Sequence, residues 1–159
     1  MFEPGHARNG NVLALDPATR CGWAHSLGFE GTWNLKVKAD ESSGMRLVRF
    51  RSKLDEIHQS LGFGLIAYEL ALAMPGRRAG PSVQKEMQGV LKLWCEDHSV
   101  DFRSYSPSEV KKHATGKGNA NKDAMIRAAQ KKWRKVIEDD NTADALWILD
   151  LALTDYGST

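Results

Sequence analysis

The chain has 159 residues, 26% of them charged and 42% hydrophobic, with a formal charge of +2, the make-up of one globular domain that buries its own core. No run of about 18 apolar residues is present to span a bilayer, and the N-terminus lacks the apolar stretch of a secretory signal, so the chain is expected in the cytosol and off the membrane. Its two cysteines, Cys21 and Cys95, have neither CxxC nor Cys/His spacing, which excludes a disulfide framework and a zinc site and leaves them as reduced packing residues.

In chain order, residues 1–10, with Pro4, Gly5, Asn9 and Gly10, read as a flexible leader to a single domain over 1–159. Val12 to Trp23 (VLALDPATRCGW) then organises the chain. Four apolar or small residues lead to Asp16, and Pro17 to Arg20 make a polar turn into a second apolar run, which predicts a buried strand ending in a carboxylate and a hairpin after it. Cys21–Leu27 and Gly31–Val37 are the next two strands, joined by a turn through Gly28 and Glu30, so the first three strands form an antiparallel meander. Gly44 opens a helix with Leu47, Phe50, Leu54, Ile57 and Leu61 in one stripe, ended by Gly62 and Gly64.

Phe63–Leu70 (FGLIAYEL) has the apolar run of a parallel central strand, with Glu69 near its end. A polar loop from Met74 to Pro81, carrying Arg77 and Arg78, leads to a helix over Ser82–His98. There Val83, Met87, Val90, Leu91 and Trp94 make an apolar face broad enough for core and subunit contact. Asp101–Tyr105 is the fifth strand. Ser106-Pro107-Ser108-Glu109 starts a brief helix, Thr115–Asn121 (TGKGNAN) is a glycine loop, and a helix follows from Lys122 to about Lys135 with Met125, Ala129 and Trp133 inward. The last helix spans about Asn141–Tyr156, with Ala145, Leu149 and Ala152 buried.

The charge is unevenly spread. From Lys111 to Lys135 there are nine Lys or Arg and one acid, Asp123, while Glu138, Asp139, Asp140 and Asp144 follow closely. Basic residues beside clustered acids suit a polyanion held near metal ions. If their strands are neighbours, Asp16 and Glu69 lie side by side at the sheet edge where α/β proteins bind ligands. Two such acids repel unless a cation neutralises them. Carboxylates without His or Cys are hard ligands, suited to Mg²⁺ or Mn²⁺, and Asp140 and Asp144 can add oxygens. Each acid also has a plainer role open to it. Asp16 can accept N–H bonds of its own turn, and Asn141-Thr142-Ala143-Asp144 can be a capping box.

The order strand-Asp, hairpin, strand-Glu, basic segment and helix-Asp resembles the RNase H-like superfamily, and within it the RuvC-type Holliday junction resolvases, especially the short phage versions. LALDPATRCGWA looks like the family's first motif, IAYEL its second and NTADALWIL its last, and EVKKHATGKGNANKDAMI matches its lysine-bearing segment. The resemblance covers nearly the whole chain. It implies an α/β RNase H-like fold, a five-stranded mixed sheet of a three-stranded antiparallel meander plus two parallel strands, flanked by helices.

For function, the resemblance implies a Mg²⁺-dependent endonuclease for branched DNA. Asp16, Glu69 and Asp144 would bind two Mg²⁺ ions, with Mn²⁺ able to substitute. The family often has an acid or His three residues before its last Asp. That position is Asn141 here, which leaves the fourth ligand to Asn141 or to Asp140. Lys122 would offset charge on the phosphorus, and Arg77, Arg78, Lys111, Lys112, Lys117 and Lys122 would contact DNA phosphates. A four-way junction has two-fold symmetry, so paired cuts call for a homodimer, with Ser82–His98 as its interface. A broader fork or flap nuclease and a catalytically silent junction-binding protein are the alternatives.

Overall fold

Alternation along one strand sets the centre of the molecule. The computed structural model describes residues 10–72 and 82–157; nearly all of the expected leader, and the expected Met74–Pro81 loop with Arg77 and Arg78, lie outside them. In β1 (Val12–Asp16), Leu13 and Leu15 face one side of the sheet and Val12 and Ala14 the other, all buried, because successive strand residues point to opposite faces. β1 pairs antiparallel with β2 (Arg20–His25), which pairs antiparallel with β3 (Phe29–Asn34). On its other side β1 runs parallel to β4 (Leu65–Glu69), and β4 parallel to β5 (Asp101–Tyr105). The order β3-β2-β1-β4-β5 is the expected mixed sheet.

Helices cover both faces. α1 (Gly44–Ser60) and α2 (Ser82–His98) pack on Leu13, Leu15, Ile66 and Tyr68 through Phe50, Leu54, Met87, Leu91 and Trp94. α3 (Pro107–Thr115), α4 (Lys122–Trp133) and α5 (Asp140–Gly157) enclose the second core, which includes Val110, Met125, Ala129 and much of α5. Small residues bring α5 down onto the sheet: Ala14, Ala24 and Ala67 on the strands and Ala143, Ala145 and Ala152 on the helix are all buried in that core. At Gly22 the approach is closest. A Cβ there would stand 2.0 Å from the backbone oxygen of Asn141, so only glycine admits the start of the helix.

The turn between β2 and β3 differs from the expected one through Gly28 and Glu30. It closes earlier, with the Gly28 N–H donating to the His25 carbonyl at 3.0 Å and φ of +96° at Gly28. One glycine in the left-handed region makes the reversal, and Glu30 already pairs with Ala24 inside β3. Leu61, expected in the α1 stripe, is instead the residue that caps that helix. Trp133 is only half-buried, at the rim of its core. Cys21 and Cys95 are free and buried, as expected of packing residues.

Candidate active site

Strand parity brings the acids together. Asp16 lies two residues beyond Ala14 and Glu69 two beyond Ala67, so both emerge on the face that α5 covers, at the carboxyl ends of adjacent parallel strands. On α5, Asp140 and Asp144 are one turn apart and share a side. All four line an open cleft of about 530 Å³, together with Asn141, Lys111, Lys122, Gln84, Ser108 and the Pro17–Ala18 hairpin.

Crowding acids in a half-buried place changes their protonation. Burial raises Asp16 well above the usual carboxylate range, and the charges of Glu69 and Asp144 raise it further. Glu69 is raised by burial too, but its hydrogen bond with Asp16 and the charge of Lys111 pull it back. The hydrogen bond between the two carboxyls raises Asp16 and lowers Glu69. Burial, then Glu69 and Asp140, push Asp144 up to about 7, against Lys111 and Lys122.

Among the described residues, no three such side chains are gathered closely enough to ligate an ion as they stand. Asp16 and Glu69 stand at the ends of adjacent parallel strands, and burial raises both. The donor set nonetheless fits a hard divalent cation. It is all oxygen, it sits at one cleft, and its four acids face only two lysines there.

The capping box expected over Asn141–Asp144 is not formed. Asp139 does that work: its Oδ1 accepts the Asn141 N–H at 3.2 Å and the Asn141 side-chain amide at 3.0 Å, and its Oδ2 accepts the Thr142 hydroxyl at 3.1 Å and that of Thr32 on β3. These bonds hold Asp139 below the usual carboxylate range despite some burial. With the helix end satisfied two residues earlier, Asp140 and Asp144 are spared for the cleft.

The two cleft lysines are placed by neighbouring helix starts. Lys111 lies on α3, whose first turn has the full capping box of Ser106 and Glu109 with Pro107 behind Ser106. Lys122 is the first residue of α4, after Asn121, whose Oδ1 accepts the Ala124 N–H at 2.8 Å. The Lys122 side chain is 82% exposed, and its ammonium is 3.4 Å from Asp140. Between these helices the chain turns at Gly116, with φ of +82°, and Gly118 packs so tightly that a Cβ would come 2.6 Å from the Ser108 hydroxyl. Lys112 and Lys117 are exposed and do not line the cleft.

The sequence analysis assigns no place at the site to Gly22, Asp139, Gln84 or Ser108. A glycine inside a strand is a recognised sign of close backbone approach, so Gly22 was findable. Asp139 competes with three other possible caps in a row, and Gln84 has no distinguishing pattern.

No family model matches the chain. It is 29% identical over 144 residues, 86% of this chain and 89% of the other, to the crossover junction endodeoxyribonuclease RuvC of Brachyspira hyodysenteriae. Among solved structures, RuvC of Thermus thermophilus in complex with Holliday junction substrate superimposes with a TM-score of 0.76 at 19% identity, covering 95% of this chain and 98% of that one. Another structure of that RuvC gives 0.72 at 17% identity, over 92% and 96%. The yeast mitochondrial Holliday junction resolvase gives 0.57 at 15% identity, over 88% and 76%.

Proposed function

As a homologue of RuvC that shares its RNase H-like fold, this chain, we propose, is a structure-specific DNA endonuclease that resolves four-way junctions by hydrolysing phosphodiester bonds. The observation that carries this is the meeting of Asp16, Glu69, Asp140 and Asp144, from three separate elements, in one cleft beside Lys111 and Lys122. A protein that only bound junctions would have no use for buried acids that repel each other. The products are 5′-phosphate and 3′-hydroxyl ends.

Asp16, Glu69 and Asp144 would hold divalent metal, with Asp140 or Asn141 as the further ligand, and the ligand set suits two Mg²⁺ ions, with Mn²⁺ as a substitute. When bound, the metal supplies neutralising charge at the phosphate and a water acidic enough to attack phosphorus near neutral pH. The protein does the rest. Asp16 and Glu69, once both are ionised, would serve as acceptors for the cation. Asp140 holds Lys122 at the mouth of the cleft, where the ammonium offsets charge gathering on the phosphoryl oxygens. Lys111, which also lines the cleft, counters the rise of Glu69 and Asp144 and favours their charged forms.

Lys112 and Lys117, with Arg77 and Arg78, extend the phosphate contacts to the junction arms, which makes affinity salt-sensitive. Paired cuts across a two-fold junction require two copies. The groove between α1 and α2, lined by Leu47, Val48, Val90, Leu93 and Trp94, supports that face as the homodimer contact, since Leu93 is 63% exposed. Among the described residues no helix is long and apolar enough to cross a membrane, and a DNA substrate gives the protein its work in the cytoplasm.

The test is incubation of the full chain and of Asp16→Asn with junction, fork, flap, duplex and RNA/DNA hybrid in Mg²⁺. Junction cleavage by the wild type alone is expected. Equal cutting of forks and flaps would broaden the substrate to branched DNA at large, and persistent cleavage by Asp16→Asn would remove the metal role.

A further inference from the structure

Beside the acidic cleft lies a second one, of about 510 Å³, lined by Thr19, Arg20, Val83 and Gln84 and sharing Ala18, Gln84, Lys122, Asp140 and Asn141 with the first. The two are continuous, but their charges differ. The first has four acids against two lysines and needs added cations before it accepts a phosphate. The second has Arg20 and Lys122 against Asp140 alone, so it attracts a phosphate with no ion added.

Its donors are independent of the acid cluster. Arg20 opens β2 just past the hairpin, is exposed, and makes no ion pair with a described carboxylate. Gln84 lies in the first turn of α2 and carries an uncharged amide donor. The amino-terminal turns of α2, α4 and α5 all contribute to the lining, through Val83 and Gln84, Lys122, and Asp140 and Asn141, and their dipoles add to the positive potential.

We infer that this second cleft seats the phosphate adjacent to the scissile one, with Arg20 and Gln84 as its donors. It fixes the path of the cut strand: the backbone crosses the ridge made by Ala18, Gln84 and Lys122 on leaving the acidic cleft. Gripping the neighbouring phosphate holds the reacting one in place without adding a cation to the ligand set, a positioning role and not a chemical one. The inference rests on the nuclease function proposed above.

The experiment is single-turnover cleavage of a synthetic four-way junction in Mg²⁺ by the full chain. Phosphates a few nucleotides to each side of the cut are replaced one at a time by uncharged methylphosphonate. With wild type, neutralising the phosphate next to the cut on one side is expected to slow cleavage about tenfold, the loss of one charge-assisted contact. Arg20→Ala is expected to be slowed about as much on unmodified DNA. It should lose nothing more at that phosphate and respond like wild type at the others, while Arg20→Lys recovers most of the rate. A merely structural role for Arg20 would leave the methylphosphonate penalty in place. That result, or wild-type rates in both Arg20→Ala and Gln84→Ala, overturns the inference. A wild-type chain that cuts no branched DNA overturns the nuclease function, and this inference with it.

Discussion

Asp144 is the residue at which function and stability pull apart. An ionised carboxylate among other acids, half-buried at the base of a cleft, destabilises the metal-free fold, and its pKa near 7 expresses that. Between about pH 4 and 7 the folded protein keeps a proton that the unfolded chain has lost, so the stability lent by this group falls as pH rises through that window and is gone above it. Replacing the acid by its neutral isostere removes the penalty. Asp144→Asn is expected to melt higher than wild type in EDTA, with a larger gain at pH 8 than at pH 5, where wild type is itself protonated. Thermal melts of both proteins at the two pH values check this, and a gain independent of pH would contradict it. Activity moves the opposite way: junction cleavage in Mg²⁺ should fall by about 10³ or more, on the scale of losing a main electrostatic contributor to catalysis. Added Mg²⁺ should raise the wild-type melting temperature at pH 8 and barely move that of the variant.

Among the elements, α5 decides whether there is a site at all. Asp16 and Glu69 are placed by their strands, but Asp140 and Asp144 reach them only because the helix starts directly over Gly22. Gly22→Ala puts a methyl group into the Asn141 backbone, which cannot yield as a side chain would. It is expected to cost about 1–3 kcal/mol and, by lifting the helix start, to lower cleavage more than the stability loss alone explains. Denaturant melts beside cleavage rates at a temperature where the variant is fully folded separate the two effects. Asp139→Ala acts on the same helix end from the solvent side. Losing the cap should cost about 0.5–2 kcal/mol, and with the Thr32 tether also gone the rate should drop with it, although Asp139 does not line the cleft.

For the whole molecule, the question is how one cleft becomes two. The sheet and its two cores leave the α1–α2 face with exposed Leu93 and Val48 on the side opposite α5. In the proposed homodimer, a second copy docked there would give each junction two catalytic clefts. Leu93→Lys is expected to turn the dimer into monomers in sedimentation velocity with the melting temperature nearly unchanged, since the side chain is outside the core. The monomer should nick junctions on one strand in place of paired cuts. A Leu93→Lys protein that stays dimeric would move the interface elsewhere on the molecule.

The sequence by itself determined the number and order of the strands, though not the bounds of β2 and β3, most helix bounds to within a residue or two, and the residues of the acid cluster. Those features rest on local chemistry: apolar alternation in VLAL, the breaker Gly62, the Ser106-Pro107 start, and a carboxylate ending each of two buried strands. The α2 and β5 limits, Ser82–His98 and Asp101–Tyr105, match the expectation residue for residue, because the apolar stripe and its flanking turns leave no other register. Tertiary structure alone decided which acid caps α5 and which acids face the cleft. Asp139, Asp140, Asn141 and Thr142 are equivalent as local caps, and the choice falls to Asp139 because Thr32, over a hundred residues away in sequence, supplies a partner from β3. The second cleft was equally invisible in the sequence. Arg20, Gln84 and Lys122 are far apart along the chain and become neighbours only when three helix starts meet beside the hairpin.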